Sequence, residues 1–289
     1  MIAIANLTKR YGDVAAVDDL TLEVPSGSIC GLLGRNGAGK TTTFKCLLGF
    51  ARADHGRIEF DGEPLTPQTF LKLGYVPERP ALYNWLTVAQ HLELGRRSHP
   101  RFDVARAAEL VATFRLPLKR KAGKLSKGQQ TALSLILALG ANPSLLVLDE
   151  PASGLDPVMQ RVVIDLLIAA ASDGATVLLS SHQIGQVERA ADRIAILRDG
   201  RLVLSGNLDD LRERSKIVEA TFDGGIPALV PFEGATRIER AGASVRVYCN
   251  GTSADVARRF DDMGARSVRI LDRSLEELFI DAVATEEEK

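Results

Sequence analysis

A glycine-rich stretch, GRNGAGKT at residues 34–41, has the residue types and spacing needed to bind phosphate. It fits G-x-x-x-x-G-K-[ST] and lies between a continuous apolar run at 28–34 and a helical pattern that begins at Lys40. The glycines let successive backbone N–H groups point at phosphate oxygens, and the helix N-terminus adds its dipole. Lys40 can reach the β and γ phosphates, and the Thr41 hydroxyl can hold Mg²⁺. The alternative is a chance glycine turn. The candidate binding residues in this stretch are Gly34, Asn36, Gly37, Ala38, Gly39, Lys40, Thr41 and Thr42.

Two acids end a second apolar run, LLVLDE at 145–150, which is typical of a buried strand. Asp149 at that strand end can hold Mg²⁺ through the water shell of the ion. If the strand geometry continues, Glu150 points to the opposite side of the chain. A carboxylate there, beside a γ-phosphate, suits a general base that orients water. The alternative is a strand that simply ends in two acids at the surface.

The segment LSKGQ at 125–129 opens a helix whose first turn is weak for a core helix. Ser126 and Gln129 form a capping box, which satisfies two backbone donors. Gly128 weakens the helix, and Lys127 adds positive charge where the macrodipole is already positive, at a cost of roughly 0.3–1 kcal/mol. Such a turn is typical of a site that receives an anion, although a plain capping box would give the same residues.

The elements that must position these residues alternate between strands and helices. Apolar strand-like runs alternating with helical patterns from 28 to 181 predict an α/β fold with a parallel sheet. The strands at 2–7 and 20–24 and the hairpin at 193–206 predict an antiparallel β flank. The charged helical patterns predict a helical subdomain at about 86–141.

After residue 210 the pattern changes. Strand-like runs surround one helical stretch, and a capping box at Ser274 and Glu277 starts a final helix. We therefore predict a main domain over 1–210 and a small C-terminal α+β accessory domain over 216–289. No residue pattern in the second domain points to chemistry.

Composition and charge exclude several classes of protein. The 289 residues, 45% hydrophobic and 25% charged, predict a globular chain of about two domains. The net charge of −1 gives no general attraction to nucleic acid or anionic lipid. The three scattered cysteines predict reduced thiols and not a disulfide or zinc site. No run reaches the ~18 apolar residues of a membrane span, and the first residues lack a signal-peptide pattern. We therefore expect any membrane role to come through a partner.

Taken together, these motifs resemble the ATP-binding subunit of an ABC transporter of the bacterial exporter type. The loop at 34–41, LSKGQ at 125–129, the acids at 149–150, SGLD at 153–156 and His182 follow the order and approximate spacing of that family. The resemblance covers roughly 1–210. It implies a P-loop NTPase core and a dimer in which each ATP is held by the phosphate loop of one subunit and covered by the LSKGQ turn of the other.

The resemblance also implies roles for single residues. Ser126, Gly128 and Gln129 would contact the γ-phosphate held by the facing subunit, with Gly128 permitting close backbone approach. His182 would reach the γ-phosphate, although a histidine that ends a strand is often just a polar cap. Tyr11 occupies the position of the family's adenine-stacking aromatic, and the alternative for it is a surface tyrosine.

Weaker assignments also follow from the resemblance. Val17 would pack beside the aromatic that stacks on adenine, and Asp156 would help to align the two sites. The groove in which the family receives a short helix of the membrane partner would here involve Leu82, Tyr83, Trp85 and Leu86, unless these residues form the core of the helical subdomain.

Three features depart from the family pattern or extend it. The family usually has glycine where this chain has Lys127, and we hypothesise that the ammonium attracts the phosphate of the facing subunit; the lysine could equally be a bystander. Glu78 stands where the family commonly has glutamine, so a Mg²⁺ contact is expected unless it is a solvated loop acid. The basic run LKRKAGK at 118–124 could face phospholipid or nucleic acid, although a solvated loop is the default.

The function implied by the resemblance is that of an ATP hydrolase that drives export through separate permease subunits. Its cofactors would be ATP and Mg²⁺, and its partners a second, identical or related, ATP-binding subunit and integral-membrane permeases. It would be cytoplasmic and peripheral on the inner face of the membrane, with no nucleic acid bound. The alternative is a soluble ATPase of the same family that acts on nucleic acid or ribosomes.

Overall fold

The computed structural model describes residues 1–227 and 232–284. Internal contacts divide the chain into two compact units, Met1–Ser205 and Gly206–Lys289. The sequence had suggested a main domain that ends at 210 and an accessory domain that begins at 216. In the structure the short helix Leu208–Arg214, which contains part of that interval, belongs to the second unit.

The first unit, all of whose residues are described, contains two sheets, seven α-helices and a short 3-10 helix, Ala122–Lys124. In chain order the elements are β1 (Ile2–Tyr11), β2 (Val14–Val24), β3 (Ile29–Gly34), α1 (Lys40–Leu47), β4 (His55–Phe60), β5 (Glu63–Pro64), α2 (Pro67–Phe70), β6 (Leu73–Val76), α3 (Val88–Ser98), α4 (Val104–Thr113), α5 (Lys127–Gly140), β7 (Leu145–Asp149), α6 (Pro157–Ser172), β8 (Thr176–Ser180), α7 (Ile184–Ala190), β9 (Arg193–Arg198) and β10 (Arg201–Asn207).

The central sheet has six strands in the order β10-β9-β3-β8-β7-β6. Strands β3, β7 and β8 are buried along their whole length, which explains why their sequences are apolar without alternation. Parallel pairing of β3 with β8 and of β7 with β8 brings the carboxyl ends of these three strands to one edge of the sheet. In open parallel sheets this edge is where ligands bind.

The second sheet of this unit is antiparallel, in the order β2-β1-β4-β5. Alternate residues of its strands, such as Ile2, Ile4 and Leu22, are buried in one core together with Leu32 of β3 and Phe44 of α1. The expected antiparallel flank is therefore present. One part of that expectation is wrong: the first strand of the hairpin, β9, pairs parallel with β3 inside the central sheet. A two-residue turn identifies a hairpin but does not show which sheet its first strand joins.

The helical part of the first unit consists of α3, α4 and α5, which pack against one another. A capping box starts α3 at Thr87 and another starts α5 at Ser126. Helix α5 also packs on β6, so the helical part lies against the edge of the central sheet. The α/β class with a parallel sheet, an antiparallel flank and a helical subdomain is confirmed.

The second unit is a small α+β domain. Its four-stranded sheet has the order β12-β13-β11-β14, and α9 packs on one face. A buried cluster of apolar residues, including Val218, Val247 and Phe260, forms its core. In chain order the elements are α8 (Leu208–Arg214), β11 (Ser215–Thr221), β12 (Ala235–Ala241), β13 (Ser244–Asn250), α9 (Ser253–Asp262), β14 (Ser267–Asp272) and α10 (Leu275–Val283).

Candidate active site

The glycine-rich loop connects the end of β3 to the start of α1. Gly39 is the N-cap residue of α1 with φ 104°, and a Cβ there would lie 2.5 Å from the Ala16 carbonyl oxygen, so only glycine fits. No side chain caps this helix, so its first N–H groups are left for another acceptor. In the rest of the loop Asn36, Gly37 and Thr41 are exposed, Thr42 is half-buried, and Gly34 and Ala38 are buried. An uncapped helix start after such a loop is suited to an anion.

The ammonium of Lys40 lies over this loop. Its Nζ donates hydrogen bonds to the carbonyl oxygens of Gly34, at 2.7 Å, and of Arg35, at 3.3 Å. Burial lowers the pKa of Lys40, whereas the negative charges of Glu150 and two further carboxylates act to raise it. These two carboxylates are Asp149 and Glu78. The lysine and all three predicted acids are therefore close enough to interact electrostatically.

Asp149 ends β7 and is 4% exposed. Its Oδ2 accepts a hydrogen bond from the Thr41 hydroxyl at 3.3 Å, and its Oδ1 accepts one from the Ser180 hydroxyl at the end of β8. The threonine and aspartate that the sequence proposed as metal ligands are thus adjacent. Hydroxyl and carboxylate oxygens are the donors that Mg²⁺ prefers, so these side chains fit that ion.

Glu150 does not continue the strand. Its φ is 54°, a left-handed conformation uncommon for a residue with a side chain, so the expectation that simple strand alternation orients it is wrong. Its carboxylate Oε2 lies 2.8 Å from Nδ1 of His182, which follows β8. Burial raises the pKa of Glu150, and the contact with His182 partly opposes that shift.

The contact between Glu150 and His182 was not predicted, because the family resemblance implied only that the histidine reaches the γ-phosphate. Its signal was nevertheless present: both residues directly follow apolar strands, and neighbouring parallel strands end at the same edge. The His182 side chain is 61% exposed, so its ring contacts the partly buried carboxylate on one side and solvent on the other.

Glu78 and Tyr11 are more peripheral. Glu78 follows β6 and is exposed, and its charge acts to raise the pKa of Lys40. Tyr11 ends β1 with half of its surface exposed, and Nζ of Lys9 lies 5.3 Å from the centre of its ring. Val17 is fully buried, and the residue paired with Tyr11 between β1 and β2 is Val14, so the expectation that Val17 packs beside Tyr11 stays a prediction.

The turn at the start of α5 has the predicted capping box. Ser126 Oγ accepts a hydrogen bond from the backbone N–H of Gln129, whose Oε1 accepts one from Ser126 N–H. The ammonium of Lys127, however, donates to Ser153 Oγ at 3.2 Å, so within this chain it points at the segment before α6. Gly128 lies against the same segment: a Cβ there would be 2.8 Å from the Gly154 carbonyl oxygen. The close approach that requires this glycine is therefore internal to the chain.

A separate apolar groove of about 450 Å³ lies between the central sheet and the helical part. Of the residues expected to form a partner groove, Leu82 lines it, whereas Tyr83 and Trp85 remain exposed elsewhere. The residues that line it are Phe50, Leu73, Gly74, Tyr75, Pro77, Ala81, Leu82, His99, Ser134, Leu137, Ala138 and Ala141. Among the described residues, no helix is long and apolar enough to span a bilayer.

Comparison with known proteins gives a consistent result. The family model described as "ABC transporter" matches residues 17–153. The ABC transporter ATP-binding protein YtrB of Bacillus subtilis is 31% identical over 97% of both chains. Nod factor export ATP-binding protein I of Sinorhizobium fredii is 32% identical over 96% of this chain and 84% of its own length.

Among solved structures, the dimeric bacterial ABC transporter cassette MJ0796 is 25% identical with a TM-score of 0.66, over 72% of this chain and 99% of that one. The match therefore covers nearly the whole of that cassette. A sequence match that runs the length of the chain and a structural match over a full cassette lead to one assignment: this chain belongs to the family of ABC transporter ATP-binding proteins.

Proposed function

We propose that this chain is the motor subunit of an ABC transporter, which binds and hydrolyses ATP and thereby drives export through separate membrane permease subunits. The observation that supports it best is the contact of Glu150 with His182 at the sheet edge shared by the phosphate loop. A structural phosphate site would need the loop alone. A partly buried carboxylate beside it would supply what hydrolysis needs in addition, a base for water.

In this proposal Lys40 and the N–H groups of the loop bind the β and γ phosphates of ATP. The carboxylate of Glu150 accepts a hydrogen bond from the attacking water, orients it towards the γ-phosphorus and takes its proton. His182 fixes the position of that carboxylate through the 2.8 Å contact with Nδ1. Tyr11 offers an exposed ring at a strand end on which adenine can stack.

Mg²⁺ belongs to the proposal because its donor set is present. Thr41 and Asp149 would hold the ion, Asp149 through a water molecule, with Glu78 as a further oxygen donor. Bound there, the ion would supply positive charge that offsets the negative charge of the phosphates.

The catalytic assembly is proposed to be a dimer of identical or related ATP-binding subunits. Ser126 is exposed, and its hydroxyl accepts from Gln129 N–H, so its own hydrogen can be donated to a γ-phosphate of the facing subunit. Gly128 holds this turn against the Gly154 segment, and Gln129 completes the cap. The similarity to a dimeric cassette supports this arrangement.

The permease is proposed to dock in the apolar groove at the edge of the helical part, where a short amphipathic helix would bury its apolar face. The protein would then sit at the inner face of the membrane. Relatedness to a Nod factor export protein supports export as the direction of transport. The alternative of a soluble ATPase acting on nucleic acid or ribosomes receives no support from the relatives, which are transporter subunits.

The second unit, Gly206–Lys289, is proposed to be an accessory domain that regulates or stabilises the dimer. Among its described residues no group of histidine, cysteine, aspartate and glutamate side chains could hold a metal ion. In this role, its deletion should weaken the dimer more than it slows the hydrolysis step itself.

The direct test replaces the proposed base. Glu150→Gln should abolish steady-state ATP hydrolysis while ATP binding persists, because the amide cannot take the proton from water. Glu109→Gln, which neutralises an exposed glutamate on α4, is the matched control and should hydrolyse ATP like the unmodified protein. Hydrolysis by Glu150→Gln at the unmodified rate would disprove the assignment of the base. Co-purification with ribosomes or DNA, and not with a multi-spanning membrane protein, would disprove the transport role.

A further inference from the structure

A surface outside the proposed site combines exposed aromatic rings with unpaired cations. Backbone hydrogen bonds join the two segments that form it: Ala122 N–H donates to Leu86 O at 2.8 Å, and Gly123 N–H donates to Asn84 O at 3.1 Å. We call it the aromatic–basic surface; its residues are Tyr83, Trp85, Lys119, Arg120, Lys121 and Lys124.

The two rings of this surface are held in place although they are exposed. Trp85 is 67% exposed and Tyr83 is 49% exposed, and their ring centres are 5.2 Å apart. The backbone N–H of Tyr83 donates to Nε2 of His91, a buried side chain of α3, at 3.1 Å. Large aromatic surface left in water is unfavourable, and a fixed, exposed Trp–Tyr pair is typical of a surface that is covered by a partner.

The cations are as unusual as the rings. Residues 117–127 contain five lysine and arginine residues and no acid, in a chain whose net charge is −1. Within the described part of the chain, no carboxylate forms a salt bridge with the four cations of the surface, whereas Arg96 and Arg97 on the nearby helix α3 share Glu93. Unneutralised cations create a local positive potential despite the balanced total charge.

We propose that the aromatic–basic surface binds the anionic headgroups of a phospholipid bilayer. Trp and Tyr favour the headgroup region because one end of each ring is apolar and the other polar, and adjacent Lys and Arg are attracted to anionic lipid phosphates. None of the six residues lines the apolar groove in which the permease is proposed to dock. The two rings contact each other at a tilt of 52°, which does not present two parallel faces for stacking bases.

This contact goes beyond docking on the permease, because it attaches the chain to lipid directly. Attraction to an anionic membrane surface increases the binding constant by roughly fivefold for each Lys or Arg close to that surface. The loss of four cations should therefore weaken binding several hundredfold, and the attraction should fall as salt screens it.

The experiment uses the purified full-length chain and vesicles without any permease. The unmodified protein should float with vesicles of phosphatidylcholine mixed with phosphatidylglycerol, and not with phosphatidylcholine alone. Trp85 is the only tryptophan, so its emission should shift to the blue on binding without any label. A variant with Lys119, Arg120, Lys121 and Lys124 changed to Gln should lose binding.

A second variant with the same loss of charge controls for net charge. It changes four exposed arginines elsewhere, Arg96, Arg97, Arg258 and Arg266, to Gln, and it should still float with the anionic vesicles. Basal ATP hydrolysis by both variants shows that they are folded, and it also separates failure of this proposal from failure of the hydrolase assignment.

Three results would overturn the proposal. One is equal binding by the two charge variants, and another is vesicle binding without a shift in Trp85 emission. The third is binding by the same four cations to RNA, DNA or an acidic permease segment while lipid vesicles alone are not bound.

Discussion

Replacing Gly128 by alanine tests whether the Ser126 turn is fixed by the segment that precedes α6. An alanine Cβ would lie 2.8 Å from the Gly154 carbonyl oxygen and 3.2 Å from Leu155 Cδ2. Ordinary non-bonded contacts begin near ~3.5 Å, so the turn and the segment would have to separate by roughly 0.7 Å. The chain also offers a matched control: Gly185 is likewise the second residue of its helix, α7, and a Cβ there meets nothing within 4 Å.

The two substitutions should change the free energy of unfolding in different ways. Alanine favours a helix over glycine by up to ~1 kcal/mol, so Gly185→Ala should stabilise by at most that amount. Gly128→Ala makes the same gain but loses about 1–3 kcal/mol through overpacking, which leaves a net destabilisation of about 0–2 kcal/mol. Urea unfolding followed through Trp85, which lies in the first unit, measures both variants in the relevant part of the chain.

The rate of ATP hydrolysis should differ more clearly between Gly128→Ala and Gly185→Ala than their stability does. In Gly128→Ala the turn that we propose to contact the phosphate of the facing subunit is displaced within its own chain, and misplacement on this scale lowers turnover by roughly 10- to 100-fold. Gly185→Ala should turn over ATP at the unmodified rate. The reasoning would be refuted if Gly128→Ala were as stable and as active as Gly185→Ala, because the close approach would then impose no constraint.

Two further predictions concern side chains around the site. His182→Ala removes a contact that lowers the pKa of Glu150, so the pKa of Glu150 should rise further. Because the proposed base must be deprotonated to act, the acidic limb of the profile of kcat against pH should move to higher pH. An acidic limb at the same pH in both proteins would show that His182 does not affect the pKa of the base. Lys127→Met keeps the methylene stem over Gly154 and removes the ammonium, which points at Ser153. ATP-driven dimerisation, measured by size exclusion in a Glu150→Gln background, should keep its salt dependence; a marked loss of salt dependence would show that Lys127 attracts the phosphate.

Much of the architecture was accessible from sequence because its signals are local. Two motifs can be recognised from a few neighbouring residues. One is a glycine-rich loop between a buried strand and a helix, and the other is a pair of acids that ends another buried strand. The parallel sheet, the antiparallel flank and the capping box at Ser126 followed from such patterns. The short strand β6 was missed, since its four residues are too few to show a period.

The rest of the site depends on contacts between distant segments. Nothing near Lys127 indicates that its ammonium meets Ser153, and nothing near Gly128 indicates that it lies against Gly154. The position of β9 in the central sheet likewise depends on β3, far away in the chain. The left-handed conformation of Glu150 is a further case, because local preferences argue against it and only the surrounding fold can impose it.

With Glu150 in the proposed role of base, that conformation means that the protein loses stability at the residue that serves turnover. A residue with a side chain at such dihedral angles costs about 1–2 kcal/mol relative to glycine. Burial, which raises the pKa of the Glu150 carboxyl, adds a second unfavourable contribution. The Glu150→Gly variant should therefore unfold at a higher temperature than the unmodified protein, although it lacks the carboxylate that the proposed mechanism needs.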